Sequence, residues 1–234
     1  MPIALVTGAS RGLGRAFAAE LATAGWDLVV DARDPQALRA TVASWRAPGR
    51  VAAISGDVTD PSHRSDLASA AAGLGGLDLL VNNAGTLGPS PLPSLEELDL
   101  DELRSLLEVN LLAPLALTRR VLPLLRARRG TVVNLTSDAG VEGYPGWGGY
   151  GMTKAALEQF GRVLAAEQPE VTVHAFDPGD VRTDMHQAAF SGEDISDRPT
   201  PDTVAPALRY LVEHGLAGGR YRAAQLLTDA EVHA

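Results

Sequence analysis

Lys154 is the single lysine among 20 basic residues, and it stands four places after Tyr150, one of four tyrosines in a chain of 234 residues. The stretch "GGYGMTK" (148–154) reads as the start of a helix, where residues four apart share a face. A phenol beside an ammonium is a proton-transfer pair. The free phenol has a pKa of about 10, and a neighbouring positive charge favours its ionised form. That moves it towards neutral pH, where acid–base catalysis is most efficient. A planar guanidinium does not replace the compact ammonium, which accounts for one lysine kept in an otherwise arginine-only set.

A second group is built for an anion. After the strand-like run IALVT (3–7) comes "TGASRGLG": Thr7, Gly8, Ala9, Ser10, Arg11, Gly12, Leu13, Gly14. Strand, glycine turn and helix in that order form the setting of a dinucleotide site. The glycines let the backbone approach a pyrophosphate whose charge meets the helix N-terminus. A second strand ends in "VVDAR" (29–33). An acid at such an end bonds the ribose hydroxyls of NAD, and a basic residue accepts the 2′-phosphate of NADP. Asp31 and Arg33 would lie on one side of an extended strand, so these residues alone leave the choice open.

These groups need a scaffold. Strand candidates are 3–7, 28–32, 51–55, 77–83, 131–136, 171–176 and, weakly, 223–227. Several are continuously hydrophobic, which suits a parallel sheet covered on both faces. The first helix begins inside the glycine stretch, repeats Leu13, Phe17 and Leu21 at a spacing of four, and stops at Gly25. Others follow Pro35 and Pro61. A long fourth helix is expected over 101–128, after a Ser94…Glu97 capping box, with a kink at Pro114. A fifth starts near Gly149 and carries Tyr150 and Lys154, and a last one follows Pro201. The alternation predicts one α/β domain over residues 1–234, a Rossmann-like doubly wound parallel sheet of about seven strands with helices on both faces.

Composition narrows the function. A net charge of −9 argues against nucleic-acid binding. The basic run Arg119, Arg120, Arg126, Arg128 and Arg129 closes a predicted helix, where it complements the helix dipole. There is no cysteine, hence no disulfide, thiolate site or cysteine nucleophile. His63, His174, His186, His214 and His233 show no metal-ligand spacing, so no metal is expected. No apolar run is long enough for a membrane span, and a strand begins almost at once, leaving no room for a signal peptide. The expected location is the cytoplasm.

Six motifs in register then become specific. "TGASRGLG", "NNAG" (82–85), Asn110 in the fourth helix, "LTS" ending at Ser137, Tyr150-x-x-x-Lys154 and "DPGDVRTD" (177–184) follow the order and spacing of the short-chain dehydrogenases/reductases. The chain resembles their compact single-domain branch from about residue 3 to 185. The resemblance implies an oxidoreductase that interconverts a ketone or aldehyde and an alcohol by hydride transfer, with Tyr150 as general acid/base. It gives Lys154 the tuning of the phenol and the grip on the ribose, Ser137 the substrate carbonyl oxygen, and Asn110 a helix distortion that holds a relay water. It assigns Gly8, Ser10, Arg11, Gly12, Leu13 and Gly14 to the cofactor loop, and Asp57 with Val58 to the adenine. Asn83, Ala84 and Gly85 fall beside the cofactor at the central strand. Pro178 and Gly179 turn the chain so that Val181 and Thr183 meet the nicotinamide carboxamide. Counted from Gly25, Ala32 stands where the NAD-type acid would be and Arg33 follows it. With Arg11 this favours NADP(H), with NAD(H) as the alternative.

The segment 184–200 corresponds to a substrate lid, and Tyr144, Trp147 and Met185 are candidates for the apolar side of a small-molecule pocket. Asp138 would either repel acidic substrates or cap a turn. The tail "GGRYRAAQLLTDAEVHA" departs from the "DGG"-like segment that supports tetramers in many relatives. A homodimer through the fourth and fifth helices is thus expected beside a homotetramer. A non-catalytic NADP-binding regulator on the same fold is a further reading, against which Ser137, Tyr150 and Lys154 all speak. The short chain argues against a sugar-nucleotide epimerase, and the glycine spacing against a methyltransferase.

Overall fold

The computed structural model describes residues 1–232, so His233 lies outside the described residues. β1 (Ile3–Val6), β2 (Asp27–Ala32), β3 (Val51–Ser55), β4 (Leu79–Asn82), β5 (Thr131–Leu135), β6 (Thr172–Asp177) and β7 (Gly219–Arg222) form one sheet in the order β3-β2-β1-β4-β5-β6-β7. All six neighbouring pairs are parallel. The fold is the Rossmann-like α/β sheet expected.

Side chains alternate between two cores, as the period of a strand requires. Ala4 and Val6 face one core, where Phe17 and Leu21 of α1 (Gly12–Thr23) meet Leu208 and Leu211 of α8 (Pro201–Glu213). Ile3 and Leu5 face the other, with Leu67 of α3 (Pro61–Leu74), Leu117 and Val121 of α5 (Ala113–Arg128), and Leu164 of α6 (Gly148–Glu167). Burial on both faces explains the unbroken apolar runs of β1, β2 and β4. Helix starts are encoded locally. Asp34 caps α2 (Pro35–Ala43) and Asp60 caps α3, each followed by proline at the first helical position. Among the described residues no helix is long and apolar enough to cross a membrane.

Three expectations are corrected. Residues 223–227 are not a strand but the start of α9 (Ala223–Val232); the last strand is Gly219–Arg222, paired with β6 from His174↔Gly219 to Asp177↔Arg222. The alanine- and leucine-rich run has strong helix propensity, and the polar "GRYR" gains its strand from pairing alone. The long fourth helix is two, α4 (Leu100–Leu107) and α5, joined by a π-helical turn at Glu108–Leu112. Pro114 lacks the N–H that the Asn110 carbonyl would accept in a regular helix, so the break falls just before it. Finally, the Ser94–Glu97 box exists, with Ser94 Oγ donating to Glu97 Oε2 at 2.9 Å, yet it closes a preceding turn. The cap of α4 is Asp99, which accepts the N–H groups of Asp101 and Glu102.

Candidate active site

The strand order reverses between β1 and β4, since the chain runs outward to β2 and β3 and then returns to the other side of β1. Such switch points are where open α/β sheets bind ligands, beyond the carboxyl ends of the strands. Every motif singled out above converges there. The Asn83 side-chain amide donates to the Thr7 carbonyl at 2.7 Å, and the Asn83 and Ala84 N–H groups both donate to Thr7 Oγ1 at 3.0 Å. The glycine loop is thereby tied to the end of β4. Gly12 has φ +54, a conformation that favours glycine, and a β-carbon on Gly14 would collide with the Gly8 carbonyl and the Asn83 amide. Arg11 makes no side-chain cap on α1, unlike the aspartates on α2, α3 and α4. The first N–H groups of α1, from Gly12, Leu13 and Gly14, therefore point out of the helix end. This loop fits a pyrophosphate.

Asp31 and Arg33 have different fates, contrary to the shared side expected of them. Asp31 is 1% exposed; its Oδ1 accepts the Gly8 N–H at 2.7 Å and its Oδ2 pairs with His63 Nε2 at 3.1 Å. Burial pushes its carboxyl pKa up, opposed by those two bonds. The carboxylate thus braces the glycine loop from beneath. Arg33 lies beyond the last residue of β2 and is exposed. It sits near enough to Asp57 to help hold that carboxyl below its usual range, although the Thr59 N–H, donating at 2.9 Å, is the larger cause. The carbonyl of Val58 accepts from Arg64, and that of Ser10 from Thr41 Oγ1. Arg11 is exposed and pairs with Asp184 at 3.4 Å. A β-carbon on Gly12 would touch the Thr183 methyl, so residues 12 and 183 are neighbours. Val181 is buried, and the turn at Pro178 and Gly179 is held by Asp177, which accepts the Gly179 N–H at 2.9 Å.

Tyr150 and Lys154 lie in the first turns of α6, with Lys154 Nζ 5.4 Å from the centroid of the Tyr150 ring. Lys154 is 5% exposed and donates to the Leu135 carbonyl at the end of β5. Burial lowers its pKa to about 8. The phenol of Tyr150 moves upward, not downward as expected, because burial dominates and the Asp177 and Asp138 carboxylates add to it. The physical reason is that Lys154 lies over the ring face and gives its hydrogen bond to Leu135. Ser137 follows β5, two residues beyond Leu135; its Oγ contacts Asp138 Oδ1 at 3.0 Å and accepts the Ala139 N–H at 3.2 Å. A β-carbon on Gly151 would collide with the Ala139 carbonyl, which seats the turn after Ser137 on the first turn of α6.

Asn110, in the π-helical turn, is 1% exposed. Its side-chain amide accepts the Thr86 N–H at 2.8 Å and donates to the Thr86 carbonyl at 2.9 Å and to Thr153 Oγ1 at 3.1 Å. A β-carbon on Gly85 would lie 3.3 Å from Asn110 Oδ1 and 3.9 Å from Lys154 Nζ. One small region therefore joins the loop after β4, the π-helical turn and α6.

Sequence reading named Trp147 but missed its aromatic neighbours. Trp147 packs edge-on to Tyr150 with ring centroids 5.8 Å apart, and also meets Phe190, which in turn meets His186 of α7 (Asp184–Ala189). Tyr144 and Met185, expected with Trp147, are exposed. Behind the site, buried Glu158 and Asp177 share Arg220, at 3.1 and 2.8 Å. Nothing in local spacing signals these pairs, because they join α6, β6 and β7 across the fold.

A parallel sheet with a glycine loop at its switch point and, beside it, a half-buried tyrosine one turn from a buried lysine defines a nucleotide-binding oxidoreductase. The description of the short chain dehydrogenase family matches residues 2–194. Sepiapterin reductase of Bos taurus is 36% identical over 203 residues, 80% of this chain and 75% of the relative. An alcohol dehydrogenase from the archaeon Thermococcus sibiricus, complexed with 5-hydroxy-NADP, superposes with a TM-score of 0.86 at 29% identity, covering 95% of each chain. A short chain dehydrogenase from Shigella flexneri complexed with NADP gives 0.89 at 29% identity, covering 95% of this chain and 97% of that one. The chain belongs to the short-chain dehydrogenase/reductase family and is an oxidoreductase.

Proposed function

We propose that this protein is an NADP(H)-dependent reductase of ketones or aldehydes, reversible as an alcohol dehydrogenase, with Tyr150 as general acid/base. The observation that carries the reading is the half-buried phenol of Tyr150, one helical turn from buried Lys154 and beside the strand end that carries Ser137. NADPH, when bound, supplies the hydride. Ser137 would turn its hydroxyl from Asp138 Oδ1 to the substrate's carbonyl oxygen, and Tyr150 donates its proton to that oxygen as charge develops there. A phenol pKa pushed up by burial keeps Tyr150 protonated across the neutral range, which suits the reducing direction. Lys154, charged below about pH 8, lies over the Tyr150 ring and would hold the ribose hydroxyls of the cofactor. Asn110 holds the π-helical turn against Thr86 and Thr153, keeping the inner end of α6 in place.

Three features support NADP(H) over NAD(H). The acid of β2 is spent internally on Gly8 and His63, Ala32 ends the strand without a carboxylate, and Arg33 follows in solvent. A guanidinium there would meet a 2′-phosphate by charge-assisted bonds. Relatives of the same fold have been captured with NADP-type cofactors. Asp57 and Val58 are read as the adenine side, and Gly179, Val181 and Thr183 as the nicotinamide side. Residues 184–200 are read as the lid of a single catalytic domain that works in the cytoplasm as a homodimer or homotetramer.

The test is NADPH consumption against a panel of ketones, aldehydes and diketones. Tyr150→Phe is expected to remove turnover while NADPH titration by fluorescence stays within about threefold of wild type. Unchanged turnover in that variant refutes the assignment. Tighter binding of NADH than NADPH refutes the cofactor reading.

A further inference from the structure

We propose that Asp138 sets the charge class of the substrate, so that the site takes carbonyl compounds without a negative charge beside the carbonyl and rejects carboxylates. This rests on reading Ser137 and Tyr150 as the carbonyl site. Asp138 directly follows Ser137, and its carboxylate is held in place from three sides. Oδ1 accepts the Ala139 N–H at 2.8 Å and the Ser137 hydroxyl at 3.0 Å, and Oδ2 accepts the Tyr144 hydroxyl at 3.2 Å. All three partners are neutral. Three nearby carboxylates, by contrast, each have an arginine. Asp177 has Arg220 and Arg222, Asp180 has Arg198, and Asp184 has Arg11. Among the described residues no lysine or arginine pairs with Asp138.

Its charge reaches the reacting groups. It raises the pKa of Tyr150 and of Tyr144, and it acts on His186. His186 does not cancel it, because burial lowers the imidazole pKa and favours the neutral ring. The aromatic neighbours of Tyr150, Trp147 and beyond it Phe190, carry no charge. A substrate carboxylate next to the carbonyl would bring a second negative charge beside a pinned one in a half-buried site. Such like-charge contacts are how sites reject wrong partners. The same arrangement welcomes a neutral or cationic group, for which Asp138 is an acceptor.

The test uses a matched pair, phenylglyoxylate and its methyl ester, with NADPH. Wild type is expected to favour the ester by at least about tenfold in kcat/KM, and Asp138→Asn to narrow that ratio by about tenfold. Asparagine keeps an oxygen for the Ala139 N–H, and taking the ratio within each enzyme cancels any general loss. An unchanged ratio in the variant, or a wild-type preference for the acid, overturns the proposal. Calorimetric binding of the two compounds separates it from the reductase reading. If neither is reduced but the ester alone binds, and Asp138→Asn admits the acid, the charge rule stands and the reductase reading falls. Equal binding of acid and ester by wild type overturns the charge rule whatever the turnover.

Discussion

Replacing Arg220 by leucine removes the guanidinium that two buried carboxylates share. Its Nε donates to Glu158 Oε1 at 3.1 Å and its terminal nitrogen to Asp177 Oδ2 at 2.8 Å, and the two acidic side chains are 2% and 4% exposed. Stripping one partner from a buried pair costs about 3–5 kcal/mol, because an uncompensated charge stays inside. Arg162 and Arg222 also contact these carboxylates, but their side chains are 61% and 59% exposed, so they offset only part of the loss. Thr136 Oγ1 and the Gly179 N–H keep donating as well. The lower end, about 3 kcal/mol, is therefore expected. For a domain of this size that lowers Tm by about 6–12 °C. In urea the midpoint should fall by about 1 M or more. Adding Asp177→Asn should recover at least about 1 kcal/mol of coupling in a double-mutant cycle. A deficit below about 1 kcal/mol, or no coupling in that cycle, would refute the idea that Arg220 neutralises this cluster.

Three further outcomes can be checked. Gly14→Ala places a β-carbon against the Gly8 carbonyl and the Asn83 amide, so it should cost about 1–3 kcal/mol in urea unfolding and weaken NADPH binding at least about tenfold in a fluorescence titration. His63→Ala leaves the buried Asp31 carboxylate with the Gly8 N–H as its remaining side-chain bond, and should cost about 2–4 kcal/mol while raising the Kd for NADPH. Lys154 has its folded pKa lowered from 10.5 to about 8, so between those values the unfolded chain binds the proton and the folded one does not. Stability from this group therefore rises with pH across that window, by at most about 3 kcal/mol, and is smallest below it. Urea midpoints from pH 7 to 9.5 should rise for wild type relative to Lys154→Met; parallel curves would show that the amine titrates normally.

The core of the fold was legible because its signals are local. Continuous apolar runs announced a sheet buried on both faces, prolines and aspartates marked helix starts, and the glycine loop stood between strand and helix. The i,i+4 spacing of Tyr150 and Lys154 was enough to place both on one face of α6. Asn110 was visible only through the family pattern; its π-helical turn and its bonds to Thr86 and Thr153 join three separate segments. At the tail, pairing with β6 overrode the weak strand propensity of "GRYR", and the better-looking run beyond it became helix.

By itself, then, the amino-acid order determined six of the seven strands, most of the crossover helices and the i,i+4 placement of Tyr150 and Lys154, since spacing and propensity act over a few residues. Tertiary packing decided what charge those residues carry and meet. Asp31 and Arg33, two places apart, end as a buried brace and a solvent cation. The phenol of Tyr150 is raised by burial and by Asp177 and Asp138. Desolvation and Coulomb forces depend on distance in space, which contacts between remote segments set.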